Sequence, residues 1–75
     1  MGADKEFTMA KKKYTVSVFY NPRGVETFNG MSARDAEDLA IELSEELDVF
    51  EVHLYVKEGC VTTLVGVYED GIQTL

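Results

Sequence analysis

Cysteine, proline and histidine occur only once each in this sequence, and basic residues are few. A single cysteine, Cys60, cannot form a disulfide within the chain, so cysteine usage gives no sign of an oxidising compartment. No apolar run approaches the roughly 20 residues that a membrane-spanning helix needs. The first residues also lack the apolar stretch of a signal peptide. We therefore expect a cytoplasmic protein that does not associate with membranes.

Basic residues are outnumbered two to one, with 7 Lys and Arg against 14 Asp and Glu and a net charge of −7 at pH 7. Phosphate backbones and anionic membranes repel such a protein, so the charge argues against nucleic acid as a partner. It favours either solubility alone or a partner with a basic surface. The only basic run is Lys11 to Lys13, which we expect to be an exposed start of the chain.

The chain length predicts a single domain. Residues 1–8, MGADKEFT, have no periodicity and resemble vector-derived sequence, whereas Met9 followed by Ala10 and three lysines is typical of a natural start. We assign residues 9–70 to one small α+β domain and residues 71–75 to a short, frayed tail. A domain of this size buries only about 60% of its extended surface, so a partner would help to stabilise it.

Alternating polar and apolar residues predict a hairpin before residue 30. YTVSVFY at 14–20 alternates between two faces, and VETF at 25–28 is a short returning strand. Between them, NPRG at 21–24 is typical of a type I turn followed by a glycine with positive φ.

Residues 32–48, SARDAEDLAIELSEELD, predict an amphipathic helix. Ser32 is a good N-cap, and Asp35 stands three residues later, as in a capping box. Apolar residues at helical spacing form a stripe that we expect to lie on the sheet. The stripe consists of Ala33, Ala36, Leu39, Ala40, Leu43 and Leu47.

The same helix holds seven of the fourteen acidic residues, with Arg34 as its only base. Acids in its last turn oppose the helix dipole at a cost of roughly 0.3 to 1 kcal/mol each, so helix propensity alone does not explain them. A ridge of carboxylates can imitate phosphates and occupy a basic site on a partner; the alternative is a face that is merely solvated. The predicted partner-binding residues are Asp35, Asp38, Ile41, Glu42, Glu45 and Glu46.

Two further strands are predicted, DVFEVHLYV at 48–56 and CVTTLVGVY at 60–68. In the first, Phe50 and the other even-numbered apolar residues share one face. The register of the second is open. Its apolar pattern favours pairing of Val56 with Val61, whereas a left-handed glycine in the turn favours pairing with Cys60. The two alternatives exchange the faces of the strand.

The order β-β-α-β-β predicts an α+β fold, a mostly antiparallel four-stranded sheet with one helix on one face. The helix-free face would then be exposed, and an apolar face of this kind is typical of an interface. A homodimer is the simplest partner for it. The residues expected on it are Thr15, Ser17, Phe19, His53 and Tyr55, with either Leu64 and Tyr68 or Val65 and Val67.

Catalytic and metal-binding motifs are lacking. A Cys–His enzyme would need His53 and Cys60 together in a pocket that excludes water, which a one-helix sheet does not predict. Two Cys or His ligands are too few for zinc, and the acidic helix has no calcium-type loop. There is also no glycine-rich phosphate loop. We expect neither enzymatic activity nor a cofactor.

The segments TVSVFY, VETF, SARDAEDLAIELSEEL and FEVHLYV cover most of residues 14–56 and follow a lysine-rich start. In length, acidity and β-β-α-β order, this arrangement resembles small phage-encoded host-takeover proteins such as the short RNA polymerase inhibitors of lytic phages. The added strand CVTTLVGVY departs from that order, and no diagnostic motif transfers a functional residue. The resemblance implies a non-enzymatic inhibitor or adaptor.

Two hypotheses follow. The first is a small protein-binding module that occupies a basic partner surface through its acidic helix. The alternative is a homodimeric structural or nucleic-acid-associated protein that uses the open sheet face, with Phe19, His53 and Tyr55, together with the lysines at 11–13.

Overall fold

The computed structural model describes residues 12–75. The elements are β1 (Lys13–Tyr20), β2 (Val25–Met31), α1 (Ala33–Ser44), β3 (Val49–Glu58), β4 (Val61–Glu69) and β5 (Ile72–Gln73). The strands pair antiparallel in the order β2-β1-β3-β4-β5. The predicted α+β architecture is confirmed, although the sheet has five strands instead of four. The vector-like residues 1–8, the start at Met9 and Lys11 lie outside the described residues.

The core lies between α1 and one face of the central strands. In β1, Val16 and Val18 are fully buried, and they pair with Leu54 and Val52 of β3. The small side chains of the helix let it lie close to the sheet. Among residues 12–75, the buried apolar side chains are Val16, Val18, Ala36, Ala40, Val52, Leu54 and Tyr68. Because strand residues alternate, the odd-numbered residues of β1 and, from Glu51 onward, those of β3 lie on the helix-free face.

Strand β2 runs three residues beyond its predicted end at Phe28. Asn29 and Gly30 lie together opposite Thr15 of β1, which makes a β-bulge. Gly30 has a φ of +75°, the left-handed conformation that glycine adopts without steric cost. The residues predicted as a turn into the helix are therefore part of a strand that continues to Met31.

The helix begins as predicted, with the Asp35 N–H donating to Ser32 Oγ over 3.2 Å. It ends at Ser44, however, and not near Asp48. Leu47, expected on the buried stripe, is fully exposed. The prediction for Leu47 is wrong because helical spacing no longer applies once the helix has ended.

Ser44, and not Leu47, is buried at the end of the helix. Its hydrogen bonds connect the helix with the turn after β4. Its Oγ donates to the Ile41 carbonyl over 2.9 Å and accepts from the Gly71 N–H over 2.8 Å. Its own carbonyl accepts from the Asp70 N–H over 3.1 Å. These bonds satisfy polar groups at the helix end that would otherwise lack partners.

A second bulge lies at the start of β3. Tyr20 pairs with Val49 and Phe19 with Glu51, which leaves Phe50 without an opposite residue. The exposed fraction of Phe50 is 61%, whereas Val49 packs against the core. The placement of Phe50 on the buried face is therefore wrong, because the bulge shifts the alternation by one residue.

The register of β4 differs from both alternatives. Val56 pairs with Thr63, and neither Val61 nor Cys60 lies opposite it. The turn contains two residues only, and Gly59, its first, has a φ of +60°, as in a type II′ turn. The turn therefore consists of Gly59 and Cys60, one residue later in the chain than a two-residue loop with Val56 opposite Val61 would place it.

A third bulge lies at Val65, which has no opposite residue in β3. The residues before and after it therefore follow different alternations, so each face of β4 contains residues from both expected sets. Leu64 lies opposite Tyr55 and Val67 opposite His53, so both are on the helix-free face. Tyr68 faces the helix and is buried. Each predicted pair of residues for the helix-free face is thus half right.

The last strand was missed. Asp70 and Gly71 have φ values of +53° and +79°, as in the type I′ turn that joins hairpin strands. The turn brings Ile72–Gln73 beside β4 as the fifth strand. The prediction of a frayed tail at residues 71–75 is therefore wrong for β5.

Candidate functional site

The solvent side of α1 carries a shallow depression of about 300 Å³. Its lining residues are Asp38, Ile41, Glu42 and Glu45, which we call the acidic depression. All four are exposed, and 39% of Ile41 remains accessible. Three carboxylates thus surround one accessible apolar side chain.

The carboxylates of the acidic depression are not neutralised by neighbouring bases. Within residues 12–75, Lys12 forms an ion pair with Glu58 at 3.8 Å, and His53 Nε2 lies 2.5 Å from Glu51 Oε1. Arg34, the only base of the helix, takes part in neither. The negative field of the acidic depression therefore extends into solvent, and like charges four residues apart repel by a few tenths of a kcal/mol, roughly.

The turn after β4 lies against one residue of the acidic depression, Glu45. The side chain of Glu45 lies over Gly71, where an added Cβ would come within 2.6 Å of Glu45 Oε2. Gly71 also has a φ of +79°, which favours glycine. The missed hairpin turn is thus part of what positions a predicted binding residue.

Two of the predicted partner-binding residues lie apart from the others. Asp35 is exposed in the first helical turn, beside the cap, and does not line the acidic depression. Glu46 follows the end of α1 and lies on the side of Tyr20. The predicted ridge is therefore divided, and only its middle part surrounds Ile41.

The carboxylates near Tyr20 change the acidity of its phenol. Tyr20 Oη donates a hydrogen bond to Glu26 Oε1 over 2.7 Å. This bond, followed by burial and the negative charges of Glu26, Glu46 and Asp48, raises the pKa of Tyr20 to about 12. Tyr68 also has a raised pKa, mainly because of burial and secondarily because of the charge of Glu37.

The predicted residues of the helix-free face are brought together. The ring centroids of Phe19 and His53 are 4.5 Å apart, and those of His53 and Tyr55 are 6.2 Å apart. His53 Nε2 lies 2.5 Å from Glu51 Oε1, and His53 Nδ1 lies 3.4 Å from Tyr55 Oη. Both ring nitrogens therefore have polar neighbours, and the three rings form a row on the helix-free face.

Cys60 does not join that row. It is exposed in the turn after β3, whereas His53 lies five residues before the last residue of that strand. At about 3.3 Å per residue, this places the two residues more than roughly 15 Å apart. Within residues 12–75, no three His, Cys, Asp or Glu side chains are arranged to hold a metal ion.

The described lysines of the N-terminal run lie at the other end of the helix. Lys12 and Lys13 line a depression of about 270 Å³ together with Gly30, Met31 and Ser32. Lys13 is also paired with Lys57 across the sheet. The basic residues are therefore separated from the acidic depression along the helix axis.

No family model, curated protein or solved structure matches the chain. The one helix among residues 12–75 is too short and too polar to span a bilayer. Sequence reasoning missed the contribution of Ser44 and the turn at 70–71 to the site. Asp-Gly between two alternating segments was a usable signal for that turn, whereas nothing local marked Ser44 as buried.

Proposed function

We propose that this protein is a non-enzymatic binding module whose acidic depression engages a basic surface on a partner protein. The observation that carries the proposal is Ile41, 39% exposed and surrounded by three carboxylates without an ion-pair partner among residues 12–75. An apolar anchor inside a charged rim is the usual composition of a protein interface.

The two components of the acidic depression have different physical roles. The carboxylates attract a basic surface over about a Debye length, which accelerates encounter and selects partners by charge. Ile41 buries apolar area only after contact and so slows dissociation. A module of this type works as an inhibitor or adaptor, by covering a basic surface that would otherwise bind something else. This is also the class of protein that the resemblance to phage host-takeover proteins implies.

The concentration of charge is also costly to the fold, which supports a role in binding. Asp38 and Glu42 repel each other at helical spacing, and Glu45 stands at the negative end of the helix dipole. Surfaces that serve binding commonly retain such unfavourable arrangements at the expense of stability.

The test compares wild type with two variants of equal net charge in affinity capture followed by quantitative mass spectrometry. One variant carries Asp38→Asn, Glu42→Gln and Glu45→Gln. Its control neutralises three exposed acids elsewhere, through Glu37→Gln, Glu58→Gln and Glu69→Gln. We expect a basic protein that is captured by wild type and by the control, and is lost with the first variant.

Ile41→Ala tests the contribution of the apolar anchor to binding separately from that of the carboxylates. We expect it to weaken binding of the captured protein about tenfold, mainly through faster dissociation measured by surface plasmon resonance, at unchanged net charge. Equal capture by all four proteins, or equal losses in the two neutralised variants, would contradict the proposal, because the acidic depression would then have no specific role.

A further inference from the structure

The helix-free face of the sheet has opposite charges at its two ends. Its centre consists of four cross-strand pairs of β1 and β3, in the order Lys13–Lys57, Thr15–Tyr55, Ser17–His53 and Phe19–Glu51. Two ammonium groups thus lie at one end and a carboxylate at the other, with an aromatic and polar centre between them.

We propose that this face binds a second copy of the chain, face to face, with a two-fold axis that runs across the strands. Such an axis reverses the strand direction, so Lys57 of each copy lies over Glu51 of the other copy. An axis along the strands would instead place lysines over lysines. Charge complementarity therefore selects one of the two symmetric arrangements, and it forms the Lys57–Glu51 contact twice.

The centre of the face fits the same arrangement. The axis passes between the Thr15–Tyr55 and Ser17–His53 pairs, so Tyr55 of one copy meets His53 of the other. Aromatic rings that are already held by their neighbours lose little conformational freedom on binding. On β4, Leu64 and Val67 extend the face with apolar area, and 39% of Leu64 is exposed.

The area of the helix-free face indicates how tightly two copies would bind. Four strands spaced about 4.8 Å apart and seven residues along each at about 3.3 Å give roughly 450 Å² per copy. The total of roughly 900 Å² is below that of stable interfaces and within the range of weak, transient ones. We therefore expect a reversible dimer that forms at micromolar concentrations and weakens with added salt. The helix lies on the other side of the sheet, so dimerisation leaves the acidic depression free and does not depend on the proposed function.

Sedimentation equilibrium of the full chain, from micromolar to millimolar concentration, tests the proposal. Lys57→Glu and Glu51→Lys each place like charges together twice in the dimer, and we expect each to weaken self-association at least about tenfold. In an equimolar mixture of the two variants, both contacts join opposite charges again. We expect this mixture to form a heterodimer, whereas each variant alone stays monomeric.

Two controls make the outcome specific. Lys12→Glu reverses a lysine that pairs with Glu58 away from this face, and it should leave the dimer intact. Thr63→Lys adds charge to the exposed part of β4, where two copies could instead pair edge to edge. If Glu51→Lys loses its far-ultraviolet circular dichroism, the variant is unfolded. The proposal is then tested by comparing the self-association of Lys57→Glu with that of Lys12→Glu.

Several outcomes would overturn the proposal. They are a monomer throughout the concentration range, a dimer unaffected by Lys57→Glu, and a mixture of folded variants without heterodimer. Loss of the dimer in Thr63→Lys alone would assign association to the edge of β4 instead. If the chain is monomeric, a second copy does not bind this face, and its partner would have to be a different protein.

Discussion

The hydrogen bond between Tyr20 and Glu26 shows how one contact on this acidic protein changes a titration. The phenol donates to a carboxylate and lies near two further acids, Glu46 and Asp48. Ionisation of Tyr20 would break the bond and place a fourth negative charge among them. The folded protein therefore holds this proton more tightly than the unfolded chain does.

The raised pKa of Tyr20 predicts a loss of stability at high pH. The ordinary pKa of tyrosine is 10.0 and that of Tyr20 is about 12. The stabilisation is complete below pH 10 and is lost as the pH rises through the interval from 10 to 12, because the folded state then binds more protons. Tyr20→Phe should show a smaller decrease in the free energy of unfolding across this interval, measured by urea denaturation.

Absorbance titration at the tyrosinate band provides the matching control for Tyr20. Glu26→Gln removes the main cause of the shift, so the latest-titrating tyrosine should move to lower pH. A wild-type titration that is indistinguishable from that of Glu26→Gln would refute this explanation.

Ser44 illustrates what residue-level patterns do not reveal. A serine close to three acids in the sequence is expected to be exposed. Ser44 is nevertheless buried, and its hydroxyl both donates and accepts a hydrogen bond. Burial of a hydroxyl is tolerated because its partners are in place. One of these partners, Gly71, is 27 residues away in the sequence, so the residues around Ser44 do not predict the contact.

At the level of elements, helix boundaries decided which leucines are buried. Leu43 and Leu47 are one turn apart on the same predicted stripe. Leu43 packs against the core, whereas Leu47 lies beyond the end of α1 and is fully exposed. Helical periodicity predicts the face of a residue only as long as the helix continues.

This difference predicts unequal effects of the same substitution. Leu43→Ala should reduce the free energy of unfolding by about 1 to 3 kcal/mol, because it removes partly buried methyl groups. Leu47→Ala should change the free energy by less than about 0.5 kcal/mol. Chemical denaturation of the two variants checks this directly. Comparable destabilisation by both would mean that the helix continues to Leu47.

Bulges account for the strand errors. Periodicity predicted the buried residues of β1 because that strand keeps its alternation from Tyr14 to Phe19. Extra residues at Phe50 and Val65 shift the alternation in β3 and β4, and a period-two pattern contains no information about where such a shift occurs. The Asp70–Gly71 turn is different, since Asp-Gly between two alternating segments is itself a hairpin signal.

At the scale of the whole molecule, the acidic charge of residues 12–75 is concentrated on the helix and the turn that follows it. The net charge of −7 could be predicted from composition, but its arrangement depends on the fold. The middle of the predicted ridge surrounds Ile41, while Glu46 lies beyond the end of the helix, near Tyr20. The composition of the candidate site was therefore largely predictable, and its outline was not.

Uncompensated charge predicts that salt stabilises the protein. Added NaCl, to about 0.5 M, screens the repulsion between exposed carboxylates. The free energy of unfolding of wild type should therefore rise. The variant with Asp38→Asn, Glu42→Gln and Glu45→Gln should start higher at low salt, by roughly 0.5 to 1 kcal/mol, and gain less.

Thermal and urea denaturation at two salt concentrations measure this effect, with the control variant at Glu37, Glu58 and Glu69 beside it. A salt response that is the same in wild type and both variants would show that the acidic depression is not the main source of repulsion.

Local chemistry was enough to determine the helix, the first four strands, the antiparallel α+β class, the cap at Ser32 and the buried face of β1. Each of these depends on propensities and periods that act over a few residues. Tertiary structure decided where the helix stops, where the strands bulge and how β4 and β5 pair. Those features depend on partners far apart in the chain, such as Ser44 and Gly71, whose hydrogen bonds exist only after the sheet and the helix have come together.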